Sequence, residues 1–222
     1  MLNFNDYQQK MNAIGLMPVT LNDYLNHLYY EAQWMNYFYN IFSFNQFCLQ
    51  NGFLRIIIME ACPPGNFPHN NYIFDNLGSL LNAQNDKYLQ QVYTGFFPNS
   101  NWNQITKRDA LIALSQQNVL LLDLMPAHGF NFILSGINLR GNVNNNPVAC
   151  CHLEKVRHII KYFGNIQNLQ IRSVFSMPPT YNTIALNALL NNPNHPIYCG
   201  TMTAGSGYPS FNLLLQLINN GF

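Results

Sequence analysis

Three of the nine acidic side chains in this 222-residue chain stand at the ends of apolar, strand-like runs. Ile56-Ile57-Ile58-Met59 runs into Glu60, Tyr72-Ile73-Phe74 into Asp75, and Val119-Leu120-Leu121-Leu122 into Asp123. In an open α/β sheet, ligands bind outside the carboxyl ends of the strands. A carboxylate there sits beside a crevice, half out of water, where its charge is costly unless it is paired or used. Such groups can orient a water molecule, stabilise a developing cation, or accept hydrogen bonds from a ligand's polar edge. Glu60 and Asp123 are the candidates for that chemistry. Asp75 is a candidate second pocket carboxylate, and its competing role is to cap a helix beginning near Asn76.

The elements that must position these groups follow from periodicity. Residues 1–50 read as a helical amino-terminal segment, with Thr20 capping a helix over Leu21–Tyr39 whose apolar residues recur at three and four. Residues 53–59 read as a buried, β-branched strand, and Cys62-Pro63-Pro64-Gly65 breaks the backbone after it. A short extended stretch is expected at 72–75, a helix at 76–92, a loop from Phe96 to Asn103, and a helix over Lys107–Gln117 capped by Thr106. Further strands are expected at Val119–Leu122, Leu169–Phe175 and Ile197–Thr201. Helices are expected at Pro147–Phe163, Ile184–Leu190 and Phe211–Ile218, an irregular loop at Pro126–Asn146, and a Gly-rich turn at Ala204–Pro209. Strands alternating with helices at this spacing predict one α/β domain over 1–222, with a central, mainly parallel four-stranded sheet flanked by helices.

Composition narrows the function classes. Hydrophobic residues make up 48% of the chain, enough for a sizeable core. Asparagine is about one residue in six. Its interleaving with aromatics and Leu/Ile argues against a disordered Asn tract, so it reads as the surface polar residue of an A/T-rich genome. The net charge of +1 provides no bulk attraction to nucleic acid. Positive charge concentrates only at Lys107-Arg108, Arg140 and the trio Lys155/Arg157/Lys161. The trio has the spacing of a solvated helix face, which leaves Lys107 and Arg140 as the candidate phosphate contacts.

Five cysteines without a CxxC pair argue against a disulfide framework, a zinc site or an iron–sulfur site. The six histidines share no metal-ligand spacing, although His128 follows Asp123 closely enough to line a pocket mouth. No metal and no cofactor are expected. No opening signal peptide and no apolar run of membrane length are visible, so the expected setting is a reducing cytoplasm, with no membrane and no obligate protein partner. Gly205-Ser206-Gly207 lacks the Lys-Ser/Thr of a P-loop, and no Gly-x-Ser-x-Gly elbow marks a serine hydrolase.

The order of four segments resembles the uracil-DNA glycosylase superfamily over roughly Leu54 to Thr180. Ile57-Ile58-Met59-Glu60-Ala61-Cys62-Pro63-Pro64-Gly65 is similar to the strand and Gly-Glu-Ala-Pro-Gly motif of some branches, with an inserted residue and no leading Gly. Phe74 stands where the family stacks an aromatic ring on the flipped base. Leu111-Ile-Ala-Leu-Ser-Gln-Gln-Asn-Val-Leu-Leu-Leu122-Asp123 is similar to the helix running into a Gly-Val-Leu-Leu-Leu-Asn strand, whose Asn reads the base. Val174-Phe175-Ser176-Met177-Pro178-Pro179-Thr180 takes the place of the His-Pro-Ser-Pro loop.

The resemblance implies a monofunctional glycosylase that flips a nucleotide out of DNA and hydrolyses its N-glycosidic bond. Glu60 would orient water or stabilise the sugar cation, and Phe74 would stack. Ala61, Pro64 and Gly65 would line the base pocket. Met177, with Pro178 and Tyr181 behind it, would fill the gap left in the duplex.

The departures change the expected substrate. Asp123 replaces the base-reading Asn. Asn suits uracil with one donor and one acceptor, whereas Asp suits the amino donor of cytosine. Pro64 and Gly65 stand where some relatives carry a Tyr that excludes 5-substituents. Both point to a 5-substituted cytosine, such as the hydroxymethylated or glucosylated cytosines of some phage DNA. Ser176 replaces the His that hydrogen-bonds the developing charge on O2. The alternatives are a glycosylase for uracil or another deaminated base, and a non-catalytic DNA- or nucleotide-binding protein.

Overall fold

Phe53-Leu54-Arg55-Ile56-Ile57-Ile58-Met59 is the strand around which the sheet is built. The computed structural model describes residues 3–13, 21, 24–25, 52–59, 73–74, 76–123, 168–176, 197–202 and 210–222. Within them the helices are α1 (Phe4–Ala13), α2 (Lys87–Phe96), α3 (Lys107–Gln116) and α4 (Phe211–Asn219), with a 3₁₀ turn at Trp102–Gln104. The strands are β1 (Phe53–Met59), β2 (Val119–Asp123), β3 (Gln170–Ser176) and β4 (Ile197–Thr201). The expected helices at 147–163 and 184–190, the 126–146 loop, the turn at 204–209 and most of the 21–39 helix lie outside these residues.

The strands form one sheet in the order β2-β1-β3-β4, and every pairing is parallel. With helices between and after the strands, this is an α/β fold, as the alternation predicts. β1 is central. Its Leu54, Ile56, Ile57 and Ile58 are buried, as are Leu120, Leu121 and Leu122 of β2 and Val174 and Phe175 of β3. Burial on both faces explains a continuous Ile/Leu run in place of alternation, and each such side chain contributes about 1.5–3 kcal/mol. α2 packs against α4 and α3, and α4 also reaches β4.

Local chemistry sets the boundaries. Thr106 caps α3 in a capping box: its Oγ1 accepts from the Asp109 N–H at 3.1 Å, and Asp109 Oδ2 accepts from the Thr106 N–H at 3.4 Å. At the other end Asn118 takes the left-handed conformation (φ 61°), ends the helix, and turns the chain straight into β2. Gly52 (φ 76°) stands in the same way before β1, and Asn168 (φ 63°) just ahead of β3. Asn tolerates this region better than any residue except Gly. Part of the asparagine content therefore does turn chemistry in place of surface coverage, and Asn118 is in fact buried.

Two expected elements are corrected. The helix expected at 76–92 begins only at Lys87, because Asn76 is left-handed and Leu80 bridges to Thr106 instead of continuing a helix. Within the expected extended stretch at 72–75, Ile73 and Phe74 form a turn, and residues 72 and 75 lie outside the described residues.

Gly95 marks the closest approach of α2 to α4. A Cβ there would lie 2.4 Å from Leu214 Cδ2 and 2.9 Å from Leu214 Cγ. Gly95→Ala is expected to destabilise the protein by about 1–3 kcal/mol despite the better helix propensity of Ala. In urea unfolding, Gly95→Ala combined with Leu214→Ala should cost less than the sum of the two single changes.

Candidate functional site

The register brings three strand ends level. Met59, the last residue of β1, pairs with Asp123, the last residue of β2, and with Ser176, the last residue of β3. The carboxyl edge of the sheet therefore carries the row Asp123–Met59–Ser176. With strands about 4.8 Å apart, Asp123 and Ser176 flank Met59 on its two sides. Glu60 follows Met59 in sequence.

This edge is also where the sheet changes direction. β1 connects to β2 on one side, and the chain then returns past β1 to lay down β3 on the other. In doubly wound sheets of this kind, ligands bind at the switch point between such strands, outside their carboxyl ends. Here that point lies between β1 and β3, at Met59 and Ser176.

Ser176 is 2% exposed, and its hydroxyl finds no hydrogen-bond partner among the described residues. An unsatisfied buried hydroxyl costs about 1–3 kcal/mol. A hydroxyl can both donate and accept a hydrogen bond. Of the sequence-derived catalytic set, the structure thus brings the backbone positions of Asp123 and Ser176 into one row. Glu60, Ala61, Pro64, Gly65, Asp75, His128, Arg140, Met177, Pro178 and Tyr181 lie outside the described residues.

Two of the expected site residues are buried. Phe74 is expected to stack on a base, but its ring is fully buried in the core with Ile73 and Leu81. Burying the ring against apolar neighbours is worth more than leaving it exposed. Lys107 is expected to contact a DNA phosphate, but it is 0% exposed and its Nζ lies 3.1 Å from Asp86 Oδ1, itself 4% exposed. Its ammonium is paired with Asp86 in the interior.

Asp86 was not singled out in the sequence. It stands just ahead of α2, where its Oδ2 accepts from the Asn82 N–H at 3.1 Å. The pair joins the start of α2 to the start of α3. Sequence reasoning also passed over Arg55 and Arg172, although a charge inside an otherwise apolar strand is a legible signal.

Among the described residues, no group of three or more His, Cys, Asp or Glu is arranged to hold a metal ion, and no helix is long and apolar enough to cross a membrane. No protein-family model, curated protein or solved structure matches the chain.

Removing one partner of a buried ion pair leaves an uncompensated charge. Asp86→Ala is expected to cost about 3–5 kcal/mol in urea unfolding. The paired replacement Asp86→Leu with Lys107→Met should cost well under that, which distinguishes a buried pair from a surface contact.

Proposed function

We propose that this protein is a DNA glycosylase with a fold like that of the uracil-DNA glycosylase superfamily, excising a 5-substituted cytosine and leaving an abasic site. The observation that carries the reading is the level row Asp123–Met59–Ser176 at the switch point of a parallel sheet. Three of the segments that resemble the family pass through or end on that row. They lie far apart in the chain and on three adjacent strands.

In this reading Asp123 reads the base edge. As a carboxylate it accepts from the N4 amino group of cytosine, and as a neutral acid it also donates to N3. Glu60 orients water or stabilises the oxocarbenium-like sugar. Ser176 donates to O2 as charge develops on the departing base, in the place of the family's His. Phe74 and Lys107, expected to stack on the base and to contact a phosphate, are buried. The substrate is DNA carrying hydroxymethylated or glucosylated cytosine, as in some phage genomes, and the setting is antiviral defence.

The burial of Phe74 favours one second reading, a non-catalytic DNA- or nucleotide-binding protein. Abasic-site formation separates the two. Incubation with DNA containing hydroxymethylcytosine or its glucosylated form, followed by alkaline cleavage, should yield strand breaks at those positions and none in unmodified DNA. Glu60→Gln should lower the rate by about a hundredfold or more, as for loss of a group that stabilises developing charge. An absence of cleavage on every modified-cytosine substrate would sink the glycosylase reading.

Asp123→Asn provides a separate check on base reading. It restores one donor and one acceptor, so activity should move from cytosine derivatives toward uracil in single-stranded DNA. Loss of all activity, or an unchanged preference, would count against Asp123 as the reader.

A further inference from the structure

The opposite edge of the sheet holds a second polar cluster. Arg55 of β1 and Arg172 of β3 are register partners, so two guanidinium groups rise side by side from neighbouring strands. Phe53 lies between them in chemistry as well as in place: the two guanidinium carbons are 4.6 and 5.7 Å from its ring centroid. Phe96 of α2 lies 5.9 Å from Arg55. Arg55 Nη1 donates to the Gln117 carbonyl at 2.8 Å, and Arg172 Nη1 donates to the Gly221 carbonyl. Arg172 Nε and Nη2 both donate to Gln170 Oε1, at 2.9 and 2.7 Å. These contacts fix both forks but neutralise neither.

No acid among the described residues is paired with them. Asp86 faces Lys107, Asp109 closes the α3 cap, Asp6 lies on α1, and Asp123 closes the far end of β2. Arg55 Nε is buried and has no hydrogen-bond partner among the described residues. Burial, and then the neighbouring Arg172, push the Arg55 guanidinium below its ordinary value. Cys199 of β4 is close enough to feel both charges, but burial pushes its thiol up. It stays protonated near neutral pH and supplies no counter-charge. Like charges placed directly opposite across two strands destabilise a sheet, and a half-buried guanidinium with a spare donor costs more.

We propose that Arg55 and Arg172 form a binding site for a dianionic phosphate group. The donors these contacts leave over on two adjacent guanidinium groups match an anion of charge near −2 with three or more acceptor oxygens. Arg is suited to this through paired, charge-assisted N–H···O bonds. A carboxylate carries only half the charge. A phosphate monoester or inorganic phosphate carries about −1.5 to −2 near neutral pH. The site precedes the Asp123–Met59–Ser176 row by four residues along β1 and β3, about 13 Å at the rise of a strand. It stands whether or not the proposed activity does.

The test is thermal unfolding of the full chain in inorganic phosphate at constant ionic strength, balanced with chloride. A saturable rise in Tm of about 3 °C or more is expected once phosphate exceeds its Kd tenfold. Arg172→Gln should weaken phosphate binding by about tenfold or more. If that variant folds poorly, Arg172→Lys keeps the charge, removes the fork, and should also lose most of the effect. A 5′-phosphorylated oligonucleotide that competes with phosphate, when its unphosphorylated counterpart does not, identifies a strand end as the source. Failure of both to compete identifies free phosphate. The proposal is overturned by a rise that never saturates, as a general salting effect would give, or by one that survives in both Arg172 variants.

Discussion

β1 is flanked by a strand on each edge and buried on both faces, and this double commitment organises the molecule. A strand with no free edge must satisfy all its backbone groups through its neighbours, so its register with β2 and β3 is tightly specified. A slip of one residue would turn the buried Ile56 and Ile58 toward the face of Arg55 and bring the arginine into the core. The same register decides which residues meet at each end of the sheet. At the carboxyl end it aligns Asp123, Met59 and Ser176, and at the amino end it sets Arg55 beside Arg172. Both polar clusters are by-products of one hydrophobic alignment.

The sheet was the most legible part of the chain. The β-branched run at 53–59, the apolar run from Val119 and the strand at 197–201 are found where periodicity placed them, and so is the helix behind Thr106. Long apolar runs and a capping box are local signals, and local signals survive folding. The 76–92 segment was misread because Leu77, Leu80 and Leu81 mimic a helical stripe. A left-handed Asn76 and a bridge from Leu80 to Thr106 override that pattern. Propensity yields to tertiary pairing in such a segment.

The candidate site was legible only in outline. Strand-end acids can be read from sequence, because a carboxylate after four apolar residues stands out in a chain with so few charges. Which strand ends are neighbours cannot be read, since it depends on strand order. Phe74 and Lys107 show the complementary case. Residue type suggested ligand chemistry for both, but an aromatic ring and a long aliphatic stem each gain more by burial. The lysine then needs an acid inside, and Asp86 answers it from a segment whose role was invisible before folding.

The topology also orders events in time. β2 joins β1 through a connection of moderate length, whereas β3 pairs with β1 across a separation of more than half the length of the chain, as in Ile57 with Val174. Closing the longer loop carries the greater entropy, and such non-local parallel pairing is slow. The seam between β1 and β3 is therefore expected to close late, and the pairs Arg55–Arg172 and Met59–Ser176 lie along it. Until it closes, β1 presents a bare apolar edge to any other extended chain. The window in which this protein is most exposed to aggregation is the same window in which its two polar clusters are still incomplete.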